Sequence, residues 1–180
     1  IEGLEVKGRT MATFGFLLPH KGHLQLIEAF SRLPGWDELL VLSAVRDGSG
    51  KMLAKCEELI TKLNLSSRVR MVTDFLDNDV AIATLAKCDL LVFPYQNTKE
   101  SASGAVRMGV AAGAPLAVTP LPVFDDIEGA IRLPGLSVDY IVKGISESSD
   151  SKLEESRQSM INLRDSLQWN EVAKRIKDLL

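Results

Sequence analysis

The sequence is poor in cysteine: Cys56 and Cys88 are the only two among 180 residues. Two cannot build a disulfide-stapled scaffold, and they do not stand at the spacing of a zinc site. Each falls in or beside a helical pattern, where a buried free thiol is the expected state. A reducing cytoplasm suits such thiols. A basic excess is also lacking, with 21 Lys and Arg against 24 Asp and Glu and a net charge of −3. That balance gives no support to sequence-independent nucleic-acid binding. No apolar run approaches the ~20 residues of a membrane span. No basic start followed by an apolar core and a small-residue cleavage site marks a signal peptide. The opening residue is Ile1, not methionine, so a fragment or processed product with a partner domain elsewhere is expected.

What is present is ordinary for a globular chain. Apolar residues make up 46% and charged residues 25%. The length corresponds to about one domain, in which roughly 70% of the unfolded surface can be buried. Apolar periodicity switches repeatedly between strand and helix. Strands are expected over 9–17, 38–44, 68–73, 89–94 and 116–119. Helices are expected over 21–33, 50–63, 77–86 and 101–112, with Asp77 or Asn78 capping the third. Beyond Leu136 the pattern turns helical, with amphipathic stretches over 153–167 and 170–180 and Trp169 near their junction. The polar run 146–151 reads as a loop and cap, and no internal repeat is visible. Alternating strands and helices imply an α/β domain with a doubly wound parallel sheet, covered on both faces. Ligands of such sheets bind outside the carboxyl ends of the strands.

Four stretches bear on chemistry. Leu18-Pro-His-Lys-Gly-His23 lies between the first strand and first helix. A helix start offers free N–H groups and a positive dipole end for an anion, and Lys21 could add a point charge. The alternative is that Pro19 and Gly22 shape a turn while Lys21 is merely solvated. His20 and His23 have no third ligand nearby, so a solvated or phosphate-facing histidine is favoured over a metal ligand. Asp47-Gly-Ser-Gly-Lys51 lacks the glycine and hydroxyl positions of a phosphate loop and reads as a strand-to-helix turn. In the third stretch, Glu100 stands just before a helix opened by Ser101, Ala102, Ser103 and Gly104. Small residues there let a ligand approach backbone amides, and the carboxylate suits sugar hydroxyls. Alternatively Glu100 complements the helix dipole while Ser101 or Ser103 caps it. The fourth stretch, Met108 to Thr119, is mainly architectural: its small residues permit close helix-to-sheet packing, and Gly113 with Pro115 turns the chain into the next strand.

In order, these stretches resemble the C-terminal, donor-binding half of a GT-B retaining glycosyltransferase. The likeness is to the large group 1 family of bacterial cell-surface polysaccharide mannosyl- and glucosyltransferases. FGFLLPHKGHLQLIEAF is similar to that family's strand-turn-helix with its Lys-Gly. RVRMVTDFLDNDVAIATLAKCDLLVFPY resembles its strand, short helix and proline-ended strand. ESASGAVRMGVAAGAPLAVT resembles its Glu-x7-Glu segment and the small-residue turn after it.

The resemblance implies a single Rossmann-like nucleotide-sugar-binding domain over 1–180, with the acceptor-binding N-terminal domain absent. By the same resemblance Lys21, flanked by His20 and Gly22, would neutralise the donor diphosphate. Phe75 and its neighbours would border the nucleobase. Glu100 would hold the transferred sugar, and the amides from Ser101 to Gly104, including Ala102 and Ser103, would meet phosphate or sugar. Glu100 and Lys21 would be the catalytic pair, with no metal and no cofactor besides the nucleotide-diphosphate sugar itself. Positive charge and helix dipole would assist departure of the nucleoside diphosphate. The partners implied are a nucleotide sugar and a saccharide or lipid acceptor, in polysaccharide biosynthesis, in the cytoplasm or peripheral to the inner membrane.

Two positions depart from the pattern. The family carries arginine shortly before the lysine, where this chain has Phe16, and its second glutamate, which binds ribose, falls on Met108. A methionine cannot accept those hydrogen bonds as a carboxylate does. Arg107 and Arg46 are the candidate substitutes for charge. Two further readings therefore stand beside the transferase: a degenerate, non-catalytic carbohydrate- or nucleotide-binding module, and a sugar-nucleotide epimerase of the same architecture.

Overall fold

The computed structural model describes residues 2–177. The strands are β1 (Thr10–Phe16), β2 (Glu38–Ala44), β3 (Val69–Val72), β4 (Leu90–Phe93), β5 (Leu116–Val118) and β6 (Ile131–Arg132), the longest of them drawn from apolar runs. Between and after them lie α1 (His23–Ser31), α2 (Gly50–Lys62), α3 (Asn78–Leu85), α4 (Gly104–Ala112), α5 (Val138–Ser146), α6 (Asp150–Ser166) and α7 (Trp169–Lys177). All pairings are parallel, and the strand order is β3-β2-β1-β4-β5-β6. The expected doubly wound α/β sheet is therefore present. The order reverses between β1 and β4, which opens a crevice at their carboxyl ends.

Side-chain alternation divides the core. Met11, Leu39, Val41, Leu90 and Val92 point to one face and meet Ile27 and Phe30 of α1, Ile60 of α2 and Ile141 of α5. Ala12, Leu40, Leu42, Leu91 and Phe93 point to the other and meet Leu85 of α3, Val106 and Val110 of α4 and Met160 of α6. Fully buried strands on both faces explain why β2 and β4 read as continuous apolar runs. Gly109 lets α4 sit close to the sheet: a Cβ there would stand 2.8 Å from a Leu116 methyl. Cys56 and Cys88 are buried free thiols, raised by burial to about 11 and about 12.

Several boundaries differ from the sequence reading. The helix expected from Lys21 begins at His23, because Pro19–Lys21 forms one 3₁₀ turn and Gly22 is left-handed at φ 75°. The helix expected from Ser101 begins at Gly104, where the Ser103 hydroxyl accepts from the Val106 amide. Asp77 occupies the N-cap of α3 without a side-chain hydrogen bond. The loop read over 146–151 narrows, since α5 ends at Ser146 and Ser149 caps α6. Strand β6 had no periodic signal, being two residues long. The final helix is described to Lys177, and the last residues of the stretch expected over 170–180 lie outside the described residues. Among the described residues, no helix is long and apolar enough to cross a membrane.

Candidate functional site

The switch-point crevice gathers the chemistry. The turn after β1 carries His20, Lys21 and Gly22, and the chain leaving β4 carries Tyr95 and Glu100. The two are pinned together: the Gln96 amide donates to the His20 carbonyl at 2.7 Å. Lys21 Nζ donates to Glu100 Oε2 at 2.8 Å, and His20 Nε2 lies 2.9 Å from Glu100 Oε1. An ionised carboxylate only accepts, so Nε2 is the protonated nitrogen of His20 in this contact. The Lys21 side chain is only 9% exposed, which overturns the reading of a solvated lysine. Its ammonium also lies 3.9 Å from the centroid of the Tyr95 ring, a cation–π contact. The Tyr95 hydroxyl in turn bonds Ser103 Oγ at 2.7 Å, tying the lysine's support to the start of α4.

Electrostatics follows from these contacts. Partial burial pushes the Glu100 carboxyl up, but the hydrogen bonds and charges of Lys21 and His20 together outweigh it and hold the group below its ordinary value. Glu100 is thus an anion clasped between two basic side chains. His23, one turn below, is different. Burial lowers it to about 4, and the charges of Lys21 and His20 add to that; the nearby Leu18 carbonyl opposes the shift without giving Nδ1 a hydrogen-bond partner. Its Nε2 meets Ser43 Oγ at 2.8 Å. His23 is a neutral structural histidine, not a phosphate-facing one.

Beside the clasp lies a cavity of about 450 Å³, within the size range of small-molecule sites. Lys21, Glu100, Ala102, Ser103, Gly104, Phe75 and Met108 all line it. Phe75 is 74% exposed. Met108 is half-buried, packed against the α3/α4 side of the core while still lining the cavity. Three candidates stand off the cavity wall: Ser101 is exposed, Gly22 shapes the turn, and His20 reaches the site only through Glu100. The later start of α4 also moves the free helix amides. Gly104 and Ala105, whose amides belong to the first turn, line the cavity, while Ser103 serves as the cap. Among the described residues, no group of three or more His, Cys, Asp or Glu could hold a metal ion.

The two candidate arginines have different surroundings. Arg107 is committed to an ion pair with Asp126, away from the cavity. Arg46 lines the cavity, stacked over Phe16. Sequence reasoning missed Tyr95, whose place directly after the proline-ended strand was the available signal. It also missed Phe14 and Leu42, which read as core but wall the cavity.

Solved structures share this architecture. A glycosyltransferase from Rickettsia africae aligns at TM-score 0.73 and 15% identity, over 97% of this chain and 48% of that one. An Anabaena protein crystallised with UDP and glucose aligns at TM-score 0.75 and 17% identity, over 95% and 47%. The C-terminal domain of a group 1 glycosyl transferase from Francisella tularensis, crystallised by itself, aligns at TM-score 0.73 and 15% identity, over 93% and 87%. The chain therefore spans about half the length of the first two and most of the isolated domain. No curated protein matches it in sequence. The family model described as glycosyl transferases group 1 matches residues 1–162, nearly the whole chain, and the protein belongs to that family.

Proposed function

We propose that this chain is the donor-binding domain of a retaining hexosyltransferase. It takes a nucleoside-diphosphate sugar and serves transfer of the sugar to a saccharide or lipid acceptor held by an N-terminal domain. The observation that carries this reading is the Lys21–Glu100 clasp at the β1/β4 crevice, beside a cavity large enough for a nucleotide. The Anabaena relative holds UDP and glucose in its own structure, which favours a nucleotide sugar as ligand. In this reading Lys21 and the first amides of α4 face the diphosphate, whose negative charge grows as the sugar departs. Fixed positive groups in a partly water-excluded wall stabilise that charge without reorganising. Glu100 accepts hydrogen bonds from sugar hydroxyls, and its clasp by Lys21 and His20 keeps it ionised for that task. Phe75 borders the base. No cofactor or metal enters this scheme. A cytoplasmic place, at or near the inner membrane, suits a role in polysaccharide synthesis.

The experiment is calorimetry with a panel of UDP-, GDP- and ADP-hexoses. Binding of one nucleotide series, with no turnover until an acceptor domain is supplied, is expected. The second reading is a binding module without catalysis, favoured by Phe16 and Met108 facing the cavity where the family carries charged groups. Silence toward every nucleotide sugar supports that reading.

A further inference from the structure

Two basic and two acidic side chains line the cavity: Lys21, Arg46, Asp74 and Glu100. They are not equivalent. The Lys21 ammonium is already matched by Glu100 at 2.8 Å, so its charge is shared before any ligand arrives. Asp74 is exposed to water and forms no ion pair with Arg46. Among the described residues the Arg46 guanidinium has no hydrogen-bond or ion-pair partner, and its central carbon stands 3.4 Å from the centroid of the Phe16 ring. Stacking occupies one face of the guanidinium and leaves its five in-plane N–H donors unspent. An exposed arginine without a partner ordinarily samples many rotamers, and ordering it on binding costs free energy. Here the ring holds it at the cavity wall in advance. The sheet explains how. Phe16 ends β1 in register with Ala44 of β2, two residues before Arg46, so the ring sits beside the chain as it leaves β2.

We propose that Arg46 is an anion-binding residue of this cavity. It takes up the diphosphate of a nucleoside-diphosphate ligand while Lys21 remains shared with Glu100, and Phe16 is its positioning residue. The identity of the ligand rests on the donor-site reading above; the Arg46 guanidinium without an ion-pair partner among the described residues does not.

The test is calorimetry on this 180-residue chain with inorganic pyrophosphate, with UDP, GDP and ADP, and with the corresponding uncharged nucleosides, melting temperature being recorded throughout. Arg46→Ala is expected to weaken pyrophosphate and the bound nucleoside diphosphate by about tenfold or more, leaving the nucleoside nearly unchanged. Arg46→Lys keeps the charge but loses the planar fork, and is expected to recover only part of the affinity. Phe16→Leu, with Arg46 intact, is expected to fall between wild type and Arg46→Ala. Because Arg46 is exposed, its replacement leaves melting unchanged, so lost binding cannot be assigned to unfolding. Diphosphate affinity unchanged in Arg46→Ala overturns the proposal while leaving the donor-site reading intact. Pyrophosphate binding that depends on Arg46, with no nucleotide bound, does the reverse. Wild-type protein that binds neither overturns both.

Discussion

The Cα of Gly22 faces the Pro94 carbonyl so closely that an added Cβ would stand 1.9 Å from its oxygen. The glycine is thereby one of the points at which the β1 turn and the β4 exit touch, and its φ of 75° reverses the chain between the 3₁₀ turn and α1. Both requirements exclude a side chain. Gly22→Ala is expected to destabilise the domain by more than about 1 kcal/mol, since neither the dihedral nor the space accommodates it. The turn must then move away from β4, separating Lys21 and His20 from Glu100. Denaturant unfolding and nucleotide titration on the same variant check this: unchanged stability means the turn does not pack as described.

Lys21→Ala tests the clasp. Removing the ammonium is expected to weaken nucleoside-diphosphate binding by about 1–3 kcal/mol, the scale of a charge-assisted hydrogen bond. Binding of the uncharged nucleoside is expected to change much less. Equal loss for both ligands means that Lys21, packed against Tyr95, acts by supporting the fold.

Much of this arrangement was legible in the sequence, and the reasons are local. Strands such as β2 and β4 are apolar on both faces, so their extent is written in uninterrupted runs. Because both Lys21 and Glu100 follow strands, parallel topology puts them at one edge of the sheet. What escaped the sequence depends on tertiary contact. The break at Gly22 is imposed by Pro94, which is remote in the chain. The late start of α4 follows from Ser103 capping the helix while its hydroxyl also meets Tyr95. The different fates of Arg46 and Arg107 turn on one available ring and one available carboxylate, neither marked by spacing.

His23 makes stability depend on pH. Its value is about 4 in the folded chain against 6.5 when free. Between those values the unfolded chain binds the extra proton and the folded chain does not, so stability rises with pH across the window. The contribution is full above about 6.5 and is lost as pH falls toward about 4, up to roughly 3 kcal/mol. Glu100, held below its ordinary 4.5, loses its own contribution as pH falls below that value. His23→Gln is expected to flatten the stability profile between pH 6.5 and 4, measured by urea unfolding. A variant as steep as wild type places the dependence on another group.

Met108 is one of the two positions at which the chain departs from the family pattern it resembles. Because α4 begins at Gly104, Met108 lies four residues into the helix, on the face that Gly104 and Ala105 turn to the cavity. By the family resemblance a ribose-binding carboxylate would stand here, and a thioether offers only weak acceptance. A nucleotide bound in this cavity therefore leaves its ribose hydroxyls to other groups or to water. Met108→Glu is expected to strengthen nucleotide-sugar binding, by up to about 1.5–3 kcal/mol if two charged hydrogen bonds form. The new carboxylate would not be fully buried, because Met108 is only partly buried at the cavity wall. Melting temperature is thus expected to fall only slightly. Against this works the packing of Met108 on the α3/α4 side of the core, which the substitution gives up. Thermal melting and nucleotide titration on one variant separate these effects. A stable Met108→Glu protein with higher affinity shows that the ribose site lacks only its carboxylate. A destabilised protein with no gain shows that Met108 serves the core and that the ribose is held elsewhere.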